Sequence, residues 1–287
     1  MIFDQLPWFF FSITATILFG ISAAFYKFPS AKGLSKLTAT FWVLFAQLAM
    51  ALLLFFSYLR FPNPNVLLYA FLWGASYAVL TLMQMYALAH VETNSLFPVT
   101  TSLSLVVTVI VGLVLFKDTL STLQILGIIF VIVTVYLFVY RKGHATYSPS
   151  LLWLGMFIVF CSAFNKVVQK FGADAGDIYN LQIYQYLFGA MIALVALLVV
   201  DRKHFSVMHF KQGAKPGLFI GAVAFLGGYC ILLALTKGPF PLITTVHSLY
   251  IFVAAMVGFI MFKEKLDRRK IALIALAILA LLLIRLG

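Results

Sequence analysis

The sequence predicts an all-α polytopic membrane protein of ten transmembrane helices, arranged as two inverted five-helix repeats. Three observations carry that expectation. Of 287 residues, 64% are hydrophobic and only 10% charged, against roughly 25% charged in an ordinary soluble domain. The chain divides into apolar runs of spanning length, about 20 residues each. One stretch of the first half returns in the second: Gly112 to Leu120 reads GLVLFKDTL and Gly258 to Leu266 reads GFIMFKEKL.

The runs, bounded by charge, Pro or Gly, place spans one to five near Trp8–Tyr26, Leu37–Leu59, Val66–Ala89, Thr93–Phe116 and Ser121–Tyr140. Spans six to ten follow near Leu151–Phe171, Asp177–Val200, Gly213–Ala234, Pro239–Phe262 and Arg269–Arg285. Only short turns remain between them, with no room for a soluble domain. The first run has no basic leader and no clear cleavage site, so it reads as a retained helix rather than a signal peptide. Cys161 and Cys230 lie inside separate apolar runs and are expected to pack.

The repeated stretch divides the chain into residues 1–145 and 146–287. Lys27-Phe28 and Lys170-Phe171 close the first span of each half, and Ala87-Leu88 returns as Ala234-Leu235. Five spans per repeat send the second copy into the membrane in the opposite sense. That inverted duplication is common among secondary transporters, whose solute sites lie where the repeats meet.

These residues resemble the drug/metabolite transporter (DMT) superfamily, and within it the ten-helix EamA-like branch. The two junctions Phe116-Lys117-Asp118 and Phe262-Lys263-Glu264, each followed by Leu and an apolar run, are similar to the acid-x-Leu junction of that family. The resemblance covers essentially the whole chain. It implies a small-solute carrier in the cell membrane, with both termini cytoplasmic and with spans five and ten peripheral to the cavity. A weaker resemblance, to sugar-phosphate and nucleotide-sugar translocators, lies in Phe164-Asn165-Lys166-Val167 to Lys170 and in Asp177 to Tyr184. It implies exchange of phosphate-containing metabolites as the alternative.

Charge bears on orientation and on partners. The formal charge is +12, from 20 Lys and Arg against 8 Asp and Glu. Most of the basic residues sit in the turns after spans one, five, seven and nine, where cationic side chains meet anionic headgroups. No basic helix is left to enter a nucleic-acid groove. The positive-inside rule places both termini outside, against the topology that the family resemblance implies.

Polar side chains within a spanning run face a cavity or another helix more often than lipid. Span three carries Trp73, Tyr77, Thr81 and Gln84 on one face, and span four carries Thr101, Ser104 and Thr108. Span nine carries Thr244, His247, Ser248 and Tyr250. His247 is the single histidine inside a run and suits proton coupling or anion recognition, with a helix-to-helix hydrogen bond as the plainer reading. Lys166, about one turn inside the end of span six, suits a carboxylate or phosphate, or alternatively snorkels to the headgroups. Asn165 shares that position. Gln185 and Gln182 on span seven, and Gln47 on span two, line the cavity or bridge helices. Trp42, Tyr77 and Tyr250 are mid-span aromatics that suit flat or cationic solutes. Gly217-x-x-x-Gly221 on span eight is a close-packing motif.

The solute-binding candidates are therefore His247, Lys166, Asn165, Tyr77, Gln84, Tyr250, Gln185 and Trp42. Spans five and ten are nearly devoid of polar groups, which suits lipid contact or self-association and leaves a homodimer open. The central cavity is expected among spans one to four and six to nine. The sequence has no phosphate-binding Gly-Lys loop and no H-E-x-x-H, and no acidic residue lies inside a run, so no cofactor or metal is expected. This excludes ATP-driven pumping by the chain alone and leaves passive, exchange or proton-coupled transport. A membrane-embedded enzyme or a helper subunit would not account for the inverted duplication.

Overall fold

The computed structural model describes residues 6–31, 33–87, 93–139, 149–200, 207–262 and 268–287. Leu88, Lys263, Glu264 and Leu266 of the repeated motifs lie outside the described residues, as do most of the basic residues between spans five and six and between spans seven and eight.

The described chain is helical almost throughout, in the order α1 (Leu6–Phe25), α2 (Lys27–Ala31), α3 (Lys36–Phe55), α4 (Pro64–Ala87), α5 (Thr93–Val114) and α6 (Thr122–Val139). The second half comprises α7 (Pro149–Asp174), α8 (Ile178–Val200), α9 (Val207–Leu235), α10 (Phe240–Ser248), α11 (Tyr250–Phe262) and α12 (Arg268–Leu286). Seven helical segments are long and apolar enough to cross a membrane, and shorter apolar helices at Leu103–Val114, Thr122–Leu137 and Ile271–Leu286 complete ten spans. Large apolar side chains such as Phe10, Leu53, Phe61 and Trp153 are exposed around the bundle, as a lipid-facing surface requires.

Two departures from the sequence reading concern the site. The helix of span six continues past Phe171 to Asp174, which leaves Lys166 more than two turns from its end rather than one. The α-helical bonding of span nine is interrupted at one residue: α10 stops at Ser248 and α11 begins at Tyr250, while Leu249 between them keeps right-handed helical dihedrals and bonds to the Val246 carbonyl three residues back, a tightened turn within one continuous span. No Pro or Gly marks that interruption, so a rule keyed to those residues passes over it.

Helices pack mainly across the halves. α1 lies against α9 and α11, and its counterpart α7 lies against α4 and α5. α3 lies against α8 and α9, α4 against α8, α5 against α10, and α6 against α12. Each cross-half pair has a partner pair related by exchanging the repeats, which is the contact pattern of a two-fold inverted duplication. Glycine sets the closest approaches. Gly217 backs onto Trp42 and Gly221 onto the Val43 carbonyl, so a Cβ at either would push α9 off α3. α6 and α12 pair at the periphery, where Gly127 meets Ile284.

Short ties join helix ends at one end of the bundle. Arg60 pairs with Asp177 at 3.0 Å, and Asn180 donates to the Tyr58 carbonyl at 2.9 Å. Lys170 pairs with Asp174 at 2.6 Å and donates to the Leu235 carbonyl at 3.0 Å. At the start of α10, the Phe240 N–H donates to Asp118 Oδ2 at 3.1 Å.

Candidate functional site

Where the halves meet, a cavity of about 110 Å³ is lined from α1, α4 and α5 of the first half and from α7 to α11 of the second. That volume lies below the roughly 300–1,000 Å³ of pockets for drug-sized ligands. The wall takes in seven of the eight candidates: Tyr77, Gln84, Asn165, Lys166, Gln185, His247 and Tyr250.

Trp42 lies elsewhere. Its indole Nε1 donates to the Phe210 carbonyl at 2.9 Å, and its ring meets Phe210 at 4.9 Å between centroids. The ring thus fills the α3–α9 seam beside Gly217 and Gly213, because an indole with one polar edge finds both packing and a backbone acceptor there. More generally, α3 contributes no described residue to the cavity wall, against the expectation for span two. Its Gln47 is buried behind the wall and donates to Tyr77 Oη at 3.1 Å.

α7 supplies a polar face. Ser162, Lys166 and Gln169 recur at spacings of four and three, so all three point the same way into the cavity. Lys166 Nζ lies 3.4 Å from Ser104 Oγ of α5, and Ser104 in turn donates to Ser162 Oγ at 3.2 Å. Asn165 anchors α7 to α4: its Oδ1 accepts from Trp73 Nε1 at 3.0 Å and its Nδ2 donates to Ser76 Oγ at 3.0 Å. Its side chain is therefore committed to holding the wall together.

The junction of α10 and α11 supplies a further part of the wall. His247 sits in the last turn of α10 and Tyr250 in the first of α11, with their rings stacked 5.4 Å apart. The Phe19 ring meets His247 edge-on at 4.9 Å. The hydroxyls of Thr101 and Tyr250 lie 3.1 Å apart. By contrast, the α10 hydroxyls of Thr244, Thr245 and Ser248 bond back to their own helix.

Among the described wall residues three hold buried polar atoms without a hydrogen-bond partner: Gln185, at both amide atoms, His247, at Nδ1, and Ser22, at Oγ. Gln185 is fully buried. Gln182, one turn earlier, is turned to Tyr186 Oη at 3.5 Å and is not part of the wall. Among the described residues no Asp or Glu lines the cavity, and no group of His, Cys, Asp and Glu comes together as a metal site.

The sequence reading did not single out Phe19, Ser22, Tyr26, Ser162 or Gln169, all wall residues. The available signals were Ser22 near the end of α1 with Tyr26 four residues on, just past it, and the Ser162-Lys166-Gln169 spacing on α7.

The EamA-like transporter family model matches residues 6–140 and again 149–286. No curated protein matches the chain. A solved structure described as "Crystal structure of protein" superposes with a TM-score of 0.73 at 13% identity, covering 94% of each chain, a likeness of fold alone. With two copies of the family domain spanning the spans that surround the cavity, the chain belongs to the EamA-like transporter family of the DMT superfamily and is a multi-pass membrane transporter.

Proposed function

We propose that the protein is a secondary carrier that moves a small metabolite, such as an amino acid or related organic solute, out of the cell across the cell membrane by alternating access. The observation that carries this reading is the small polar cavity between the repeats, completed by His247 and Tyr250 where α10 meets α11. Polar groups without partners at bilayer depth are costly, so Gln185 and His247 are suited to a solute that completes their bonds. The ties at Arg60–Asp177, Lys170–Asp174 and Asp118–Phe240 suit a closed end that must open for the solute to pass. Rocking of one repeat against the other would exchange these ties for others at the opposite end. His247 is the wall group suited to couple transport to protons, and exchange against a second solute is the other coupling.

Proteoliposomes containing the purified chain test the reading. Saturable movement of labelled amino acids or related acids, abolished in a Gly221→Leu variant that jams α3 against α9, is the expected result. A proton gradient that accelerates wild type but not His247→Ala assigns the coupling to His247. Absence of saturable movement across the panel overturns the carrier reading.

A further inference from the structure

The cavity contains a charge that its own wall leaves unbalanced. Lys166 lies well within α7, and among the described residues its hydrogen-bond partner is the Ser104 hydroxyl at 3.4 Å. Every acidic residue that the structure describes is engaged at the tied end: Asp118 with the Phe240 N–H, Asp174 with Lys170, and Asp177 with Arg60 and Asn180. None reaches Lys166. A cation at membrane depth without a counterion is costly, because neither Coulomb attraction nor bulk water offsets its desolvation.

The neighbouring groups add donors rather than charge. Ser162 accepts from Ser104, which leaves its own hydroxyl proton to give. It lies one turn before Lys166 on the same face, and both line the cavity. The Gln185 amide, fully buried and without partner at either atom, adds a further donor and acceptor.

We infer that the solute taken into this cavity bears a single carboxylate, seated on Lys166 Nζ and the Ser162 hydroxyl, with its remaining polar groups free to meet the Gln185 amide. The inference rests on the carrier reading above and narrows it. One ammonium balances one negative charge. A phosphate dianion would retain a net negative charge in a site whose other described groups, apart from the titratable His247, carry no charge. Bidentate arginine, over-represented in phosphate recognition, is missing from the described wall residues.

The test measures thermal unfolding of the purified full chain in lipid nanodiscs, with propionate, propionamide and inorganic phosphate as probes. A ligand that binds only the folded protein raises its stability in proportion to occupancy. Propionate is expected to stabilise wild type, while propionamide and phosphate have no effect. Lys166→Gln is expected to weaken propionate binding by at least about tenfold, the low end for a charge-assisted hydrogen bond. Lys166→Arg, which keeps the charge, retains binding and guards against a variant that fails to fold. Arg285→Gln, in the last turn of the peripheral α12, binds as wild type does. The inference is overturned if propionamide matches propionate, if phosphate binds more tightly, if propionate gives no stabilisation, or if Lys166→Gln binds unchanged. Proteoliposome uptake separates the two readings. Saturable movement of solutes lacking a carboxylate leaves the carrier standing without its anion seat. Propionate binding without transport of any solute leaves the seat standing without the carrier.

Discussion

The hydroxyls of Thr101 on α5 and Tyr250 on α11 lie 3.1 Å apart, one contributed by each half of the chain. The two helices are counterparts under the repeat, so this contact crosses the seam at the cavity wall. Such interhelical hydrogen bonds contribute about 0.6 kcal/mol on average within membranes. Tyr250→Phe and Thr101→Val are each expected to lower stability by about that amount, and the double variant by little more than either single one. Thermal unfolding of the four proteins checks this, and full additivity would show that the two hydroxyls do not act together.

Asn165 presents the opposite case, a candidate whose polar atoms are already used. It accepts from Trp73 Nε1 and donates to Ser76, joining α7 to α4. Asn165→Leu leaves the Trp73 N–H buried without a partner, at a cost of about 1–3 kcal/mol. Reduced stability with loss of transport is expected, and Trp73→Phe in the Asn165→Leu background should recover part of the stability. Failure of that recovery would mean the pair is not what holds the two helices.

Asp118 lies outside the spans, in the turn that follows α5. Burial pushes its carboxyl above the ordinary carboxylate range, against the pull of the Phe240 N–H and of Lys170, with Asp174 adding to the rise. A raised native value means the folded protein holds this proton more tightly than the unfolded chain. Its stabilising contribution is therefore fully present below the ordinary value and is lost as pH rises through the raised one. Asp118→Asn keeps an acceptor for Phe240 and removes the titration. Its stability relative to wild type should rise with pH through that acidic window and then level off. Asp118→Ala should cost about 0.5–2 kcal/mol as a lost helix cap. A wild-type profile parallel to that of Asp118→Asn would place the titration elsewhere.

Gly221 faces the Val43 carbonyl, and a side chain there meets backbone, which cannot rotate away as a side chain could. Gly221→Leu is expected to prevent the α3–α9 seat and to cost about 1–3 kcal/mol or more. Gly155, with open space around it, should accept Ala with no loss. Equal tolerance at both positions, measured by unfolding, would contradict the close approach.

The spans and the duplication were legible because long apolar runs and a repeated GLVLFKDTL pattern are local in sequence. The cavity was legible through polar side chains at helical spacing, such as Tyr77 and Gln84. Spacing does not say which neighbour a face meets. Trp42 and Tyr77 look alike as mid-span aromatics, yet the glycines of α9 draw α3 close and take Trp42 into a helix seam. The interruption at Leu249 was not legible, since it arises where α10 and α11 are packed against α1 and α5 rather than from a breaker residue. Lys166 was placed too near a helix end because α7 continues through Gly172 to Asp174.

Gln185 separates a solute-binding role from a structural one. Both its amide atoms are buried without a partner, so the folded protein gains no hydrogen bond from them. A side chain that served packing alone would lose stability on replacement. One kept for a ligand should gain it, because an apolar group of similar size removes a desolvation cost of about 1–3 kcal/mol. Gln185→Leu is therefore expected to unfold at a higher temperature than wild type while transporting at least about tenfold more slowly, the trade found where a site retains polar groups for function. Gln182→Leu removes one long contact with Tyr186 Oη together with one unpartnered amide oxygen, so it should change stability less than Gln185→Leu does and leave transport near wild type. Lower stability with unchanged transport in Gln185→Leu would assign that amide to the bundle rather than to the solute.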